Sequence, residues 1–164
     1  MTGTITVPRC GVSAPTDWNL DANFFAAQLF EPTLEIRIQH GGDLIEFADG
    51  VVLRISNYGA VTLGVALPVA DATVLPDPTV VPDPAVLVVD AAPYLNRMCA
   101  DVTPLLVSVT GTVTFNSMYS AADPRIAGSF SIDFVDPVYP GATAHLTGEF
   151  NFLFRRGQPA EHFS

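Results

Sequence analysis

Along the C-terminal third of the chain, apolar and polar residues trade places with a period of two. Phe130, Ile132 and Phe134 share one face of AGSFSIDF (127–134), and Phe150, Phe152 and Phe154 share one face of TGEFNFLF (147–154). TGTVTF (110–115) repeats the pattern, and in each segment a Gly stands two residues before an aromatic or β-branched inward position. Successive side chains alternate sides only in an extended chain, so the three segments read as consecutive antiparallel strands of a meander. The glycines are expected where a strand bends or two backbones approach closely.

Alternation recurs upstream. Leu34, Ile36 and Ile38 alternate with Glu35, Arg37 and Gln39, and Val61, Leu63, Val65 and Leu67 suggest a further strand. Gly41-Gly42, Asp123-Pro124 and Asp136-Pro137 punctuate the runs, and Asp49-Gly50 has the form of a two-residue hairpin between LIEF and VVLRIS. The whole reads as an all-β chain, an antiparallel β-sandwich or open barrel of about nine strands. One segment departs from this pattern. Asp21 to Glu31 spaces Phe25 and Leu29 four apart between a capping Asp and Pro32, which suits a short helix or an irregular aromatic segment. In either form Trp18, Phe24, Phe25, Leu29 and Phe30 are expected to close the core.

At 164 residues the chain suits a single domain over 1–164. Acidic residues number 17 against 7 basic ones, and every basic residue is Arg. A net charge of −10 opposes nucleic acid, whose phosphates need a basic stripe, and opposes anionic membrane surfaces. No apolar run reaches the length of a membrane span. With only 15% charged residues, Ser, Thr, Asn, Gly and Pro must cover the surface, which favours a protein partner or self-association.

Leu75 to Val89 reads LPDPTVVPDPAVLVV. Pro76, Pro78, Pro82 and Pro84 impose an extended path that cannot donate to a central ladder. Residues 71–85 are therefore expected to form a stiff excursion from the sheet, guarding an edge where no Lys does so; a recognition arm using Pro76, Asp77, Pro82 and Asp83 and an ordinary mobile loop are the alternatives. Val86 to Val89 then returns as a buried strand. Arg155 and Arg156, near the C-terminal tail, are further candidate contacts for a partner.

Candidate chemistry is sparse. Ser129, Ser131, Asp133, His145, Thr147 and Glu149 fall on the polar side of the last two strands, and pairing them brings Asp133 close to His145 or Thr147. Asp133, His145 and Glu149 are the candidates for a hydrolase acting on a carbohydrate or ester, with Asp133 and Glu149 placed roughly 5–10 Å apart. A nucleophile at a strained turn is missing from the pattern. Asp71, Asp77, Asp83 and Asp90 recur every six or seven residues and are the candidates for calcium, though without an Asp-x-Asp cluster. His40, His145 and His162 lack zinc spacing, and no cofactor motif is present. Cys10 and Cys99, if paired, close a loop of about 90 residues, a constraint of about 4–5 kcal/mol; the alternative is two buried free thiols.

LEIRIQHGGDLIEFADGVVLRI (34–55), YLNRMC (94–99), GTVTFNSMY (111–119) and TGEFNFLFRRGQPAEHF (147–163) together resemble a group of uncharacterised secreted or lipid-anchored proteins of myxobacteria and their relatives. The resemblance spans most of the chain from Leu34 onward. It implies an exported β-rich domain with a disulfide at Cys99, and it brings no activity or cofactor. MTGTITVPRC lacks the basic and apolar regions of a signal peptide, which suits either a cytoplasmic protein or a mature form; the fold and the resemblance favour the mature form, working outside the cell or in its envelope. The sequence thus points to a secreted β-sandwich that binds or scaffolds; a hydrolase and a calcium-dependent adhesion module are the alternatives.

Overall fold

The structure is a computed structural model that describes residues 1–42, 44–74, 85–102, 104–154 and 160–162. Two antiparallel sheets face each other as a β-sandwich. In the first, β2 (Val12–Asn19), β1 (Thr2–Val7), β10 (Thr143–Leu153), β9 (Arg125–Val135), β8 (Val107–Ser117) and β6 (Ala66–Pro68) lie side by side in that order. The second has the order β11 (Ala160–His162), β3 (Phe24–Phe30), β4 (Thr33–Gly41), β5 (Ala48–Ile55) and β7 (Val89–Leu95).

The expected meander is β8–β9–β10, three strands of 11 residues each. Ile132, Leu146, Phe134 and Phe115 are almost wholly buried on its inner face, against Leu34, Ile36, Ile38 and Leu53 of the second sheet. Gly111, Gly128 and Gly148 lie within these strands, not at their entries. Gly128 shows why one is needed: a Cβ there would stand 2.8 Å from Cζ of Phe150, whose ring packs edge-on against Phe115.

β7 ties the second sheet to the first at both of its ends. At one end of β7, Leu95 accepts a hydrogen bond from the N–H of Cys99, and Cys99 is disulfide-bonded to Cys10 just beyond β1. At its other end, Val89 bridges Val69, whose N–H donates to Gly111 of β8. β1 and β8 are separated by β10 and β9, so β7 lies obliquely over the first sheet. Ser108, fully buried, fastens this corner: its hydroxyl donates to Ala70 O at 3.0 Å and accepts from the N–H of Ala91 at 3.1 Å.

Four local expectations are corrected. Residues 24–30 form strand β3, not a helix, because Phe25, Ala27 and Leu29 alternate inward opposite Ile38, Ile36 and Leu34. A spacing of four satisfies a period of two as well as a helix, and the partner strand decides between them. Phe30 consequently points away from the core and is 55% exposed. Asp49 and Gly50 lie inside β5 and make no hairpin; the chain reverses earlier, through the 3₁₀ turn Ile45–Phe47. Of 61–67 only Ala66 and Leu67 join a strand, and Leu63 and Val65 are exposed. Of Val86 to Val89, only Val89 enters a strand as a buried residue, while Val86 and Val88 are exposed.

Asp49 instead accepts hydrogen bonds from the N–H groups of Arg97 and Met98, which sets the path leading to Cys99. The Leu75–Pro84 excursion, with Pro76, Asp77, Pro82 and Asp83, lies outside the described residues, as do Arg155 and Arg156. Edge prolines are nevertheless present. Pro15 sits in β2, Pro68 in β6 and Pro93 in β7, three of the four strands that end a sheet.

Candidate functional site

Thr143, His145 and Thr147 are turned outward because Ala144 and Leu146 between them are buried in the core. Asp133 is turned outward in the same way between Ile132 and Phe134. The β9–β10 register sets Asp133 directly opposite His145, and the imidazole Nδ1–H donates to Asp133 Oδ1 at 2.6 Å. Both side chains are about half exposed, at 48% and 50%, so the pair contributes less than about 1 kcal/mol to stability. Its effect is orientation: the carboxylate fixes one ring nitrogen and leaves Nε2 without a partner among the described residues.

On the far side of His145 lies Thr4 of β1, followed by Asp17 of β2. A row Asp17, Thr4, His145, Asp133, Thr110 therefore crosses five strands, and a parallel row runs Asn19, Thr2, Thr147, Ser131, Thr112. The outer face of the six-stranded sheet is thus a lattice of hydroxyls with the Asp133–His145 pair at its centre. Beside the pair opens a groove of about 270 Å³, lined by Thr4, Thr6, Pro15, Asp133, Thr143 and His145 among others. The hydroxyls of Thr4, Thr6 and Thr143 hydrogen-bond to no described residue.

The sequence anticipates the Asp133–His145 contact and misses the rest of the groove. The alternation in TGTITV, with Ile5 and Val7 inward, signals that Thr4 and Thr6 face outward but not that they lie beside His145. Glu149 does not join the pair. It stands opposite Ser129, four residues from His145 along β10, which is about 13 Å at strand rise. Asp133, level with His145, is offset from Glu149 by the same backbone distance, longer than the roughly 5–9.5 Å between paired glycosidase carboxyl groups.

Chemically, the groove offers an oriented imidazole, a carboxylate oxygen and three free hydroxyls. Acyl transfer also needs an oxyanion site, and the backbone around the dyad is committed to the ladders joining β1, β10 and β9. No described hydroxyl is hydrogen-bonded to His145 as a nucleophile would be.

The calcium candidates that are described do different work. Asp71 accepts from the hydroxyl and the N–H of Thr73, which hold its carboxyl below the usual range. Asp90 lies 3.8 Å from Arg54 on the outer face of the second sheet; burial pushes its carboxyl up, against the pull of Arg54. Among the described residues, no three metal-ligating side chains gather in one place.

A second polar cluster, unforeseen in the sequence, lies under the 3₁₀ turn. Tyr94 donates to Gln39 Oε1 at 2.6 Å, and Gln39 Nε2 donates to Gly42 O at 2.6 Å. Every polar atom of this cluster is used within the fold, so it holds the turn and presents nothing to a ligand.

Compared with known proteins, the chain matches no family model, no curated protein and no solved structure.

Proposed function

We propose that the chain is an extracellular or envelope-associated β-sandwich that binds through the outer face of its six-stranded sheet, without catalysis. The observation that carries this reading is the groove at the centre of the hydroxyl lattice, where an oriented imidazole and three unpartnered hydroxyls converge. The Cys10–Cys99 disulfide suggests an oxidising compartment, in keeping with the export implied by the resemblance to secreted and lipid-anchored proteins. Pro15, Pro68 and Pro93 oppose the addition of a further strand at three sheet ends, which favours contact through a face over contact through an edge.

Co-sedimentation with cell-envelope and extracellular-matrix preparations of the source cells tests the proposal. The oxidised protein is expected to sediment with them, Thr4→Arg to remain in solution, and Arg54→Glu on the opposite face to sediment as the parent does. Equal behaviour of all three proteins would overturn the assignment of the face.

A further inference from the structure

We infer that the groove takes a neutral, polyhydroxylated ligand, one sugar ring at a time. This inference rests on the binding-face reading above and adds the class of ligand. The free polar atoms are of mixed character. Thr4, Thr6 and Thr143 each both donate and accept, Nε2 of the Nδ1-protonated imidazole accepts, and Asp133 contributes a second carboxylate oxygen that only accepts. A set dominated by acceptors and two-way hydroxyls suits a ligand that presents O–H groups all round its edge.

The charges argue the same way. Among the described residues the groove lining contains no Arg and one carboxylate, and the chain carries a net charge of −10, so phosphates, sulfates and carboxylates are repelled. A bare divalent cation would need several oxygen ligands, and Asp133 supplies the only carboxylate in the lining, already committed to His145. Pro15 and Val135 add an apolar wall, which suits the C–H face of a pyranose. The volume, about 270 Å³, lies just below the roughly 300–1,000 Å³ of ordinary small-molecule sites, which suits a single ring and not a folded peptide.

The test is amide-shift mapping of the oxidised protein during titration to tens of millimolar. The probes are glucose, galactose, N-acetylglucosamine and their β-linked trisaccharides, with sodium sulfate, sodium acetate and calcium chloride as controls. Expected are saturable shifts at Thr4, Thr6, Thr143 and His145 with at least one sugar, none with the controls, and an affinity about three- to tenfold lower in Thr6→Val and in His145→Ala. His145 is exposed and Thr6 half-buried, and the amide spectra of both variants report whether the fold is kept.

Groove shifts caused by sulfate, acetate or calcium in place of the sugars would overturn the ligand class while leaving the binding face intact. Silence of the groove toward every probe would overturn the inference as well. Envelope co-sedimentation that Thr4→Arg still abolishes would then keep the binding-face reading standing on its own.

Discussion

Gly50 lies directly under the hydroxyl of Tyr94, so close that a Cβ at residue 50 would stand 2.6 Å from Tyr94 Oη and would also collide with the carbonyl of Ile38. Tyr94 crosses Gly50 to reach Gln39, which is fully buried. Gly50→Ala is therefore expected to cost about 1–3 kcal/mol through overpacking. Tyr94→Phe, which removes a buried hydrogen bond to the Gln39 carbonyl, should cost about 1–3 kcal/mol. Urea midpoints at unchanged m-value measure both, and a Gly50→Ala midpoint equal to that of the parent would refute the contact.

The same phenol gives a pH dependence. Burial pushes Tyr94 above its ordinary value; Arg37 pulls against it, and Asp49 and Glu35 add to the rise. A raised folded value means that this contribution is fully present below the unfolded value of about 10 and is lost as pH rises above it. Stability is expected to fall more steeply between pH 9 and about 11 in the parent than in Tyr94→Phe. Parallel slopes in urea titrations at the two pH values would contradict the assignment.

Much of the fold was written in the alternation of Phe130, Ile132 and Phe134 and of Leu34, Ile36 and Ile38, because a buried face enforces period two residue by residue. Phe25 and Leu29 were ambiguous for the converse reason: four is a multiple of two and close to a helical turn, and only the register against Leu34 and Ile38 separates the cases. Asp49-Gly50 misled because its turn chemistry is local, whereas its use is set by Tyr94, 44 residues away from Gly50 in sequence. For the site, Asp133 facing His145 followed from pairing neighbouring strands. Thr4 and Thr6 did not, since β1 joins β10 across nearly the whole chain and nothing local announces that pairing.

Ser108 offers an independent test of how the sheets are joined. Its hydroxyl is the only side-chain group described as bonding both the N–H of Ala91 and the carbonyl of Ala70. Ser108→Ala should lose about 1–3 kcal/mol, more than a typical exposed Ser→Ala. Amide exchange at Ala91 should accelerate in step. Unchanged protection there would show that the corner is held by other contacts.

The disulfide should be the largest single constraint. Cys10 and Cys99 are separated by 89 residues, and replacing them together by Ser and Ala is expected to cost about 4–5 kcal/mol in the chain-entropy account. Comparing denaturation of the parent before and after reduction gives the same quantity without mutation. A loss under about 1 kcal/mol, far below the usual cost of removing a native disulfide, would contradict the chain-entropy account.

Edge prolines predict association behaviour. Pro15→Thr restores a donor to an edge strand that carries a single charged residue, Asp17. Sedimentation velocity should show concentration-dependent association of Pro15→Thr beyond that of the parent. Identical profiles would remove the edge-guarding role.

The central claim is that the outer face of the six-stranded sheet is the contact surface. Hydroxyl-radical footprinting of the oxidised protein, free and bound to envelope preparations, tests it directly. Oxidation of Pro15 and His145 is expected to fall on binding while that of Arg54 and Phe30, on the second sheet, stays constant; protection of Arg54 or Phe30 with Pro15 and His145 unchanged would contradict it.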